Sequence, residues 1–422
     1  MKPTLSTATS PASAIAPAVG HAKARLVMTC VAHAGVDFFS CIVIPLLSVL
    51  EGRVSISTGQ GAMLIGLGSL ASGLIQPIVA WLGDRFNTRL LATLGFLVAA
   101  VAIGLVGYAH TFPQLILVQV LGQMGVGAFH PVAAAAVGHL SGRRRAMGVS
   151  WFFTAGMVGG VAGSLLAPPF NARFGLEPFA WTILPALVLV AMLAWAIHGP
   201  SHRRHDAHAR HGAATPGQRR QRWRAIWVLY VGNALRFTVN MALVQLLVRW
   251  SETIALARSG AATLDQTIRT QAATINGPMQ AAMAVGMGVS GLLAGMVIPP
   301  RHERRALVLV PCLGAIAVAL VPRSTEAAAM ALAVGCGIGY AGVIPLTIAM
   351  AQRLLPHRTG LASGLMMGGA WAVAAVGPPL AQGLLHAVGL AWSFVAVAVM
   401  LVASGLVSLA LPGAALRDTA NH

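Results

Sequence analysis

The chain has 422 residues, of which 57% are hydrophobic and only 9% charged, with a formal net charge of +18. Soluble domains carry roughly 25% charged residues, so composition excludes an ordinary soluble enzyme or nucleic-acid-binding domain. The basic surplus sits in short segments between apolar runs, where it acts as a topology signal.

Residues 1–25 read as a cytoplasmic tail, too polar and proline-broken at its start for a secretory signal, so no cleaved leader is expected. Twelve apolar segments follow, each near the ~20 residues a helix needs to cross a bilayer. They fall at 26–49, 60–82, 90–109, 114–139, 146–169, 178–198, 225–248, 277–298, 306–322, 327–351, 359–384 and 389–412. Lipid offers the backbone no other partner, and nothing alternates like a barrel strand, so the segments are helices. The fold class is an all-α polytopic membrane protein with twelve transmembrane helices in two six-helix bundles. With the N-terminus inside, 21 of the 28 basic residues are cytoplasmic and six are external, with Arg236 alone inside a span. That bias places both termini in the cytoplasm; the expected location is a bacterial inner membrane. A basic, histidine-rich linker (199–224) separates bundles at 26–198 and 225–412, and 413–422 form a second tail. The linker histidines His202, His205, His208 and His211 read as part of a solvated cytoplasmic segment rather than a metal site. The polar stretch 249–275 is placed outside, without a role.

The halves repeat. At a constant offset of 214, Gly125, Pro131, Ala135, Leu140, Arg144 and Gly163 match Gly339, Pro345, Ala349, Leu354, Arg358 and Gly377. Two similar six-helix bundles can rock about a site at their interface, which gives alternating access.

Polar residues inside the spans are the candidate site. In "VAHAGVDFFSCIVIPLL", His33 and Asp37 lie one helical turn apart and share a face. Asp37 is the one acid deep in a span, where an ionisable group costs at least ~2.5 kcal/mol, so a role in proton coupling is the default reading. His33 would donate to it or share its proton. His130, beside Pro131, is a substrate or proton ligand. Arg236 occupies the middle of span seven, the pseudo-symmetric partner of span one. It is read as pairing with Asp37 across a central cavity or as holding an anionic substrate. Gln123 and Asn240 are weaker substrate ligands. Cys30, Cys41, Cys312 and Cys336 lie inside apolar runs at spacings that fit neither a metal site nor a disulfide framework. "GIGYAG" (337–342) lacks the strand a dinucleotide fingerprint requires. The pairs Gly156/Gly160, Gly159/Gly163, Gly291/Gly295 and Gly364/Gly368 read as close helix contacts.

The loop "AWLGDRFNTR" (80–89) resembles the signature of the major facilitator superfamily, matching at Leu82, Asp84, Arg85 and Arg89 and departing at Ala80, Asn87 and Thr88. The resemblance implies a latch in which Asp84, with Arg85 and Arg89, holds the inside closed against a helix start of the other half, a favourable place for a carboxylate. The second-half counterpart, "GMVIPPRHERR" (295–305), has Pro299 where the acid would be. "HAGVDFFSCIVIPLL", "GQMGVGAFHP", "SLASGLIQPIVAWLGDR" and "SWFFTAGMVGGVAGSLLAPP" resemble the fosmidomycin-resistance branch of that superfamily, over residues 28–170. The resemblance implies proton-driven efflux of a small anionic or amphiphilic compound. The alternatives are a proton-coupled importer of a small organic anion, and, more remotely, an intramembrane enzyme or a non-transporting sensor. The expected partners are a small-molecule substrate, protons and the lipid bilayer. No nucleic acid, metal or cofactor is expected, and the chain is expected to be a monomer.

Overall fold

The computed structural model describes residues 19–86, 89–197, 215–355 and 358–413. These are helical, with no strand among them. Nine helical stretches are long and apolar enough to cross a bilayer. The broken first pass (Val19–Ser40 and Leu47–Val54), the shorter Leu90–Gly104, and the division of Leu361–Ala410 at Gly389 bring the passes to twelve. Gly389 has φ 76° and ψ 173°, backbone that residues with a Cβ rarely adopt, and it ends span eleven.

Helix starts follow from capping side chains. Ser57 with Gln60, Thr111 with Gln114 and Thr215 with Gln218 each form a reciprocal capping box. The last of these corrects a boundary. The seventh helix begins at Pro216, inside the expected linker, and runs unbroken to Ser259. At 1.5 Å per residue it is about 66 Å long, roughly twice a bilayer core. The eighth helix begins at Gln266. The polar stretch 249–275 is therefore mostly helix, projecting beyond the apolar length of spans seven and eight.

Span one is interrupted at residues 41–46. Pro45 lacks an N–H and cannot serve the carbonyl one turn earlier, so the helix stops and restarts. Freed carbonyls in the membrane need partners. Gln123 of span four donates to the Ser40 carbonyl (3.3 Å), and Asn276 of span eight donates to that of Ile44 (3.4 Å), which also accepts from the Leu47 N–H (3.2 Å). Span eleven carries a similar irregularity, a π-helical turn at Leu365–Gly369. There Asn233 donates to the Met366 carbonyl (3.2 Å) and Tyr230 to that of Gly369 (3.3 Å), both from span seven.

Within the first half, span five lies on span one with backbones almost touching. A Cβ at Gly159 would stand 1.9 Å from the Ala34 carbonyl oxygen, and one at Gly163 would stand 2.3 Å from that of Phe38. Such glycines allow the dispersion contacts that hold helices together in lipid. The expected stripe is uneven, since a Cβ at Gly295 or Gly364 would meet nothing within 4 Å. Between the halves, span two meets span eleven (Gly73 against Ala372) and span five meets span eight (Ser164 against Gly277). Spans two and eight, and spans five and eleven, occupy equivalent places in the two bundles. The two interfaces are thus related by the pseudo-two-fold axis.

Gly159→Ala should cost about 1–3 kcal/mol through overpacking, seen as a lower thermal unfolding temperature in detergent. Gly364→Ala should leave that temperature unchanged. Equal behaviour of the two variants would contradict the close approach of spans one and five.

Candidate functional site

Helical spacing brings His33 and Asp37 together, with Nε2 of His33 3.3 Å from Asp37 Oδ2. Span four adds His130, whose Nε2 lies 3.3 Å from Asp37 Oδ1 and 3.1 Å from His33 Nε2. Sequence reading gave His33 and Asp37 one face and treated His130 separately; the structure joins all three. His33 is buried and stacks on Phe152 of span five with centroids 3.9 Å apart. Asp37 and His130 keep 23% and 26% of their side-chain surface exposed.

The other ring nitrogens define the chemistry. Nδ1 of His33 lies 2.8 Å from the Phe152 carbonyl, and Nδ1 of His130 lies 2.7 Å from the Val126 carbonyl. A carbonyl only accepts, so each Nδ1 carries a hydrogen and donates it. Each Nε2 is then a lone pair unless the ring is also protonated there. Two bare lone pairs repel at 3.1 Å, so a cation is needed between them. A proton on either Nε2 supplies it, shared with the carboxylate. The three donor groups are also close enough together to hold a metal ion.

At the end of the spans opposite the chain termini, the external end in the topology expected from the arginine bias, a second polar group joins the halves. Arg249 of span seven donates through Nη1 to Glu51 Oε2 (2.8 Å) and to Glu252 Oε2 (2.9 Å), and through Nη2 to Glu51 Oε1. Ser48 donates to Glu252 Oε1 (2.5 Å), and Arg269 of span eight donates to the Ser48 carbonyl (3.1 Å) and lies 3.6 Å from Glu51 Oε2. Glu51 and Arg249 are 1% and 4% exposed. Two arginines balance two glutamates, and Gly61 makes room, since a Cβ there would stand 2.0 Å from Glu51 Oε1. Gln382 of span eleven adds a bond to Thr58 of span two (3.0 Å). These contacts hold the two halves together at this end. Sequence reading placed these charges at span ends and missed the cluster; a signal was there in the opposite charges Glu51, Arg249, Glu252 and Arg269, all on the external side of the topology.

Arg236 is placed differently from the expectation. Helical side chains lean toward the N-terminus of their own helix, and this one reaches back to Asn233 Oδ1 (2.9 Å). Its Nη2 donates to the carbonyls of Leu307 (3.4 Å) and Ser404 (3.2 Å) and to Ser408 Oγ (3.4 Å). These partners all belong to the second half, and the side chain is 1% exposed. It makes no ion pair with Asp37. The carbonyl of Ser404 lies in the last turn of a helix ending at Leu406, where partial negative charge gathers, so the cation is matched by a helix end instead of a carboxylate. Asn240 is buried one turn further along span seven. Gln123 serves the broken backbone of span one, as described above. The side chains of Asp84, Arg85 and Arg89, and the linker segment 198–214, lie outside the described residues. Where Pro299 replaces the second-half acid, Glu303 four residues on accepts from Arg353 (2.5 Å), which ties spans nine and ten inside one bundle.

The family model of the Major Facilitator Superfamily matches residues 29–322 and 261–420. The chain belongs to the major facilitator superfamily. It is 22% identical to the fosmidomycin resistance protein of Escherichia coli K12, over 81% of each chain. It is 25% identical to the 2-nitroimidazole transporter of the same organism, over 83% of this chain and 84% of that one. Its fold matches an inward-facing, occupied structure of a bacterial homologue of the human lysosomal transporter Spinster. That match has a TM-score of 0.66 and 17% identity, and covers 91% of this chain and 95% of that one. The chain is therefore a multi-pass membrane transporter of a small molecule.

The charge cluster ties the two halves together at this end. Removing one member leaves a buried charge unpaired, at a cost of about 3–5 kcal/mol to the joined form. Arg249→Leu should thus raise external labelling of a cysteine placed at Asn276, beneath the cluster, by a membrane-impermeant maleimide. Unchanged labelling would show that the cluster only supports folding. Arg236→Met should lower thermal stability while leaving the substrate affinity of the folded fraction unchanged. Weaker affinity at full stability would return Arg236 to the binding site.

Proposed function

We propose that this transporter works by proton-coupled alternating access, exporting a small amphiphilic or anionic compound in exchange for protons. The observation that carries this reading is the position of Asp37. It is a carboxylate in mid-span, partly exposed, within 3.3 Å of two imidazole nitrogens whose tautomers are fixed by backbone carbonyls. Such a group stores at least one proton and shares it among three acceptors. A substrate that competes for the same group, or changes its exposure, exchanges for that proton. Ionisable groups inside membrane helices are characteristic of proton relays.

Two further observations support the reading. Span one carries both the proton-binding group and, past its break, Glu51 of the charge cluster, the proposed outer seal. The state of one end is thus mechanically linked to the other, and the loop of Asp84, Arg85 and Arg89 is the proposed inner counterpart of the seal. The relatives named for fosmidomycin resistance and for 2-nitroimidazole transport favour a small drug-like substrate, and resistance as the named role of the first favours the outward direction. Arg236, held inside the second half, gives no fixed cation beside Asp37. The weight therefore shifts toward an amphiphile, with a protonated His130 as the charge that an anionic group would meet.

The test is transport in proteoliposomes of known orientation, with and without an imposed pH gradient. Asp37→Asn keeps size and hydrogen bonding but removes the acid. It should abolish gradient-driven flux, while exchange of substrate down its own gradient persists. A gradient-driven flux equal to that of the wild type would make Asp37 structural.

A further inference from the structure

We propose that His33, His130 and Asp37 form a binding site for a divalent transition-metal ion of the Zn2+ class. Three features of the geometry argue for it. First, the donor set is two imidazoles and one carboxylate, which suits zinc, whereas calcium and magnesium require mainly oxygen. Second, both imidazoles present Nε2 to the site while their Nδ1–H groups are tied to the carbonyls of Phe152 and Val126. That backbone tie is how ligating histidines are normally oriented and made basic. Third, the spacing fits. Zinc held tetrahedrally at ~2.0–2.1 Å places its donors about 3.3 Å apart. Here the Nε2 atoms are 3.1 Å apart, and Asp37 faces them with both oxygens, Oδ2 3.3 Å from Nε2 of His33 and Oδ1 3.3 Å from Nε2 of His130, all within the reach of one ion.

The surroundings leave room for the ion. Span five passes the site at Gly156, where a Cβ would stand 2.5 Å from Asp37 Oδ2 and 2.6 Å from His33 Nε2. The partial exposure of Asp37 and His130 leaves a fourth coordination position for water or for an oxygen of a transported compound. The ion would take the place of the cation that must lie between the two Nε2 atoms. The inference stands on this geometry and not on proton coupling. A chain that binds zinc here but shows no gradient-driven flux keeps this proposal and loses the preceding one, and the reverse outcome does the opposite.

The experiment is calorimetric titration of the purified, tag-free full chain with zinc chloride at one fixed pH. It is repeated with His202, His205, His208 and His211 changed to serine, to remove linker binding. One ion per chain should bind in the serine-linker protein. His130→Gln and Asp37→Asn should each weaken that binding by at least ~100-fold, the upper end of what loss of a supporting partner costs. Should a variant not fold, X-ray absorption at the zinc edge of the serine-linker chain reads the ligands directly. Two imidazole nitrogens with oxygen at ~2.0–2.2 Å are expected. Absence of stoichiometric uptake, unchanged affinity in His130→Gln, or a spectrum without two imidazoles would overturn the proposal.

Discussion

A backbone carbonyl left free in hydrocarbon costs several kcal/mol, and the rest of this structure follows from how that constraint is met. Most of the chain meets it by unbroken helix. Where the helix fails, at Pro45 in span one and at the π turn of span eleven, side chains of neighbouring spans supply the missing donors. Gln123 and Asn276 serve the first break; Tyr230 and Asn233 serve the second. Asn276 belongs to the other half, so the repair of span one also joins the bundles. Gln123, Asn233 and Asn276 thus serve backbone carbonyls of neighbouring spans.

Charge obeys the same logic at higher cost. Among the described residues the buried acids and arginines are Glu51, Arg249 and Glu252 where the halves meet, and Arg236 and Glu303 within the second half, Glu303 being paired with Arg353; Asp37, in mid-span, is partly exposed. The cluster where the halves meet is neutral, with each carboxylate shared between guanidinium groups. Arg236 is matched by carbonyls at a helix end. Asp37 is matched by imidazoles, partners whose own charge depends on a proton or another cation. That difference sets Asp37 apart from the others: its compensation is exchangeable, while theirs is built in.

The two polar centres share one element. Asp37 lies one turn before the break in span one, and Glu51 lies on the short helix after it. The break separates two rigid pieces that can change their mutual angle without losing helical bonds, because their free carbonyls are already held from outside. Smooth glycine contacts between spans two and eleven, and between five and eight, provide surfaces over which the halves can tilt.

Much of this was legible in the sequence. Twelve passes, their order and the two-fold repeat follow from apolar run lengths, arginine bias and the 214-residue offset, because lipid allows one solution for a spanning backbone. The pairing of His33 with Asp37 follows from helical periodicity, which is local. What tertiary structure decided is everything that depends on which face of one helix meets which face of another. His130 comes from 97 residues away to complete the trio. Arg236 shares the middle of a span with no acid, and only the packing of spans nine and twelve shows that it turns away from Asp37. Residues 249–275 read as a polar loop, since charge usually marks the end of a membrane helix. The burial of Arg249 and Glu252 beside Glu51 required the ends of the two bundles to meet, and the sequence by itself carries no measure of that distance.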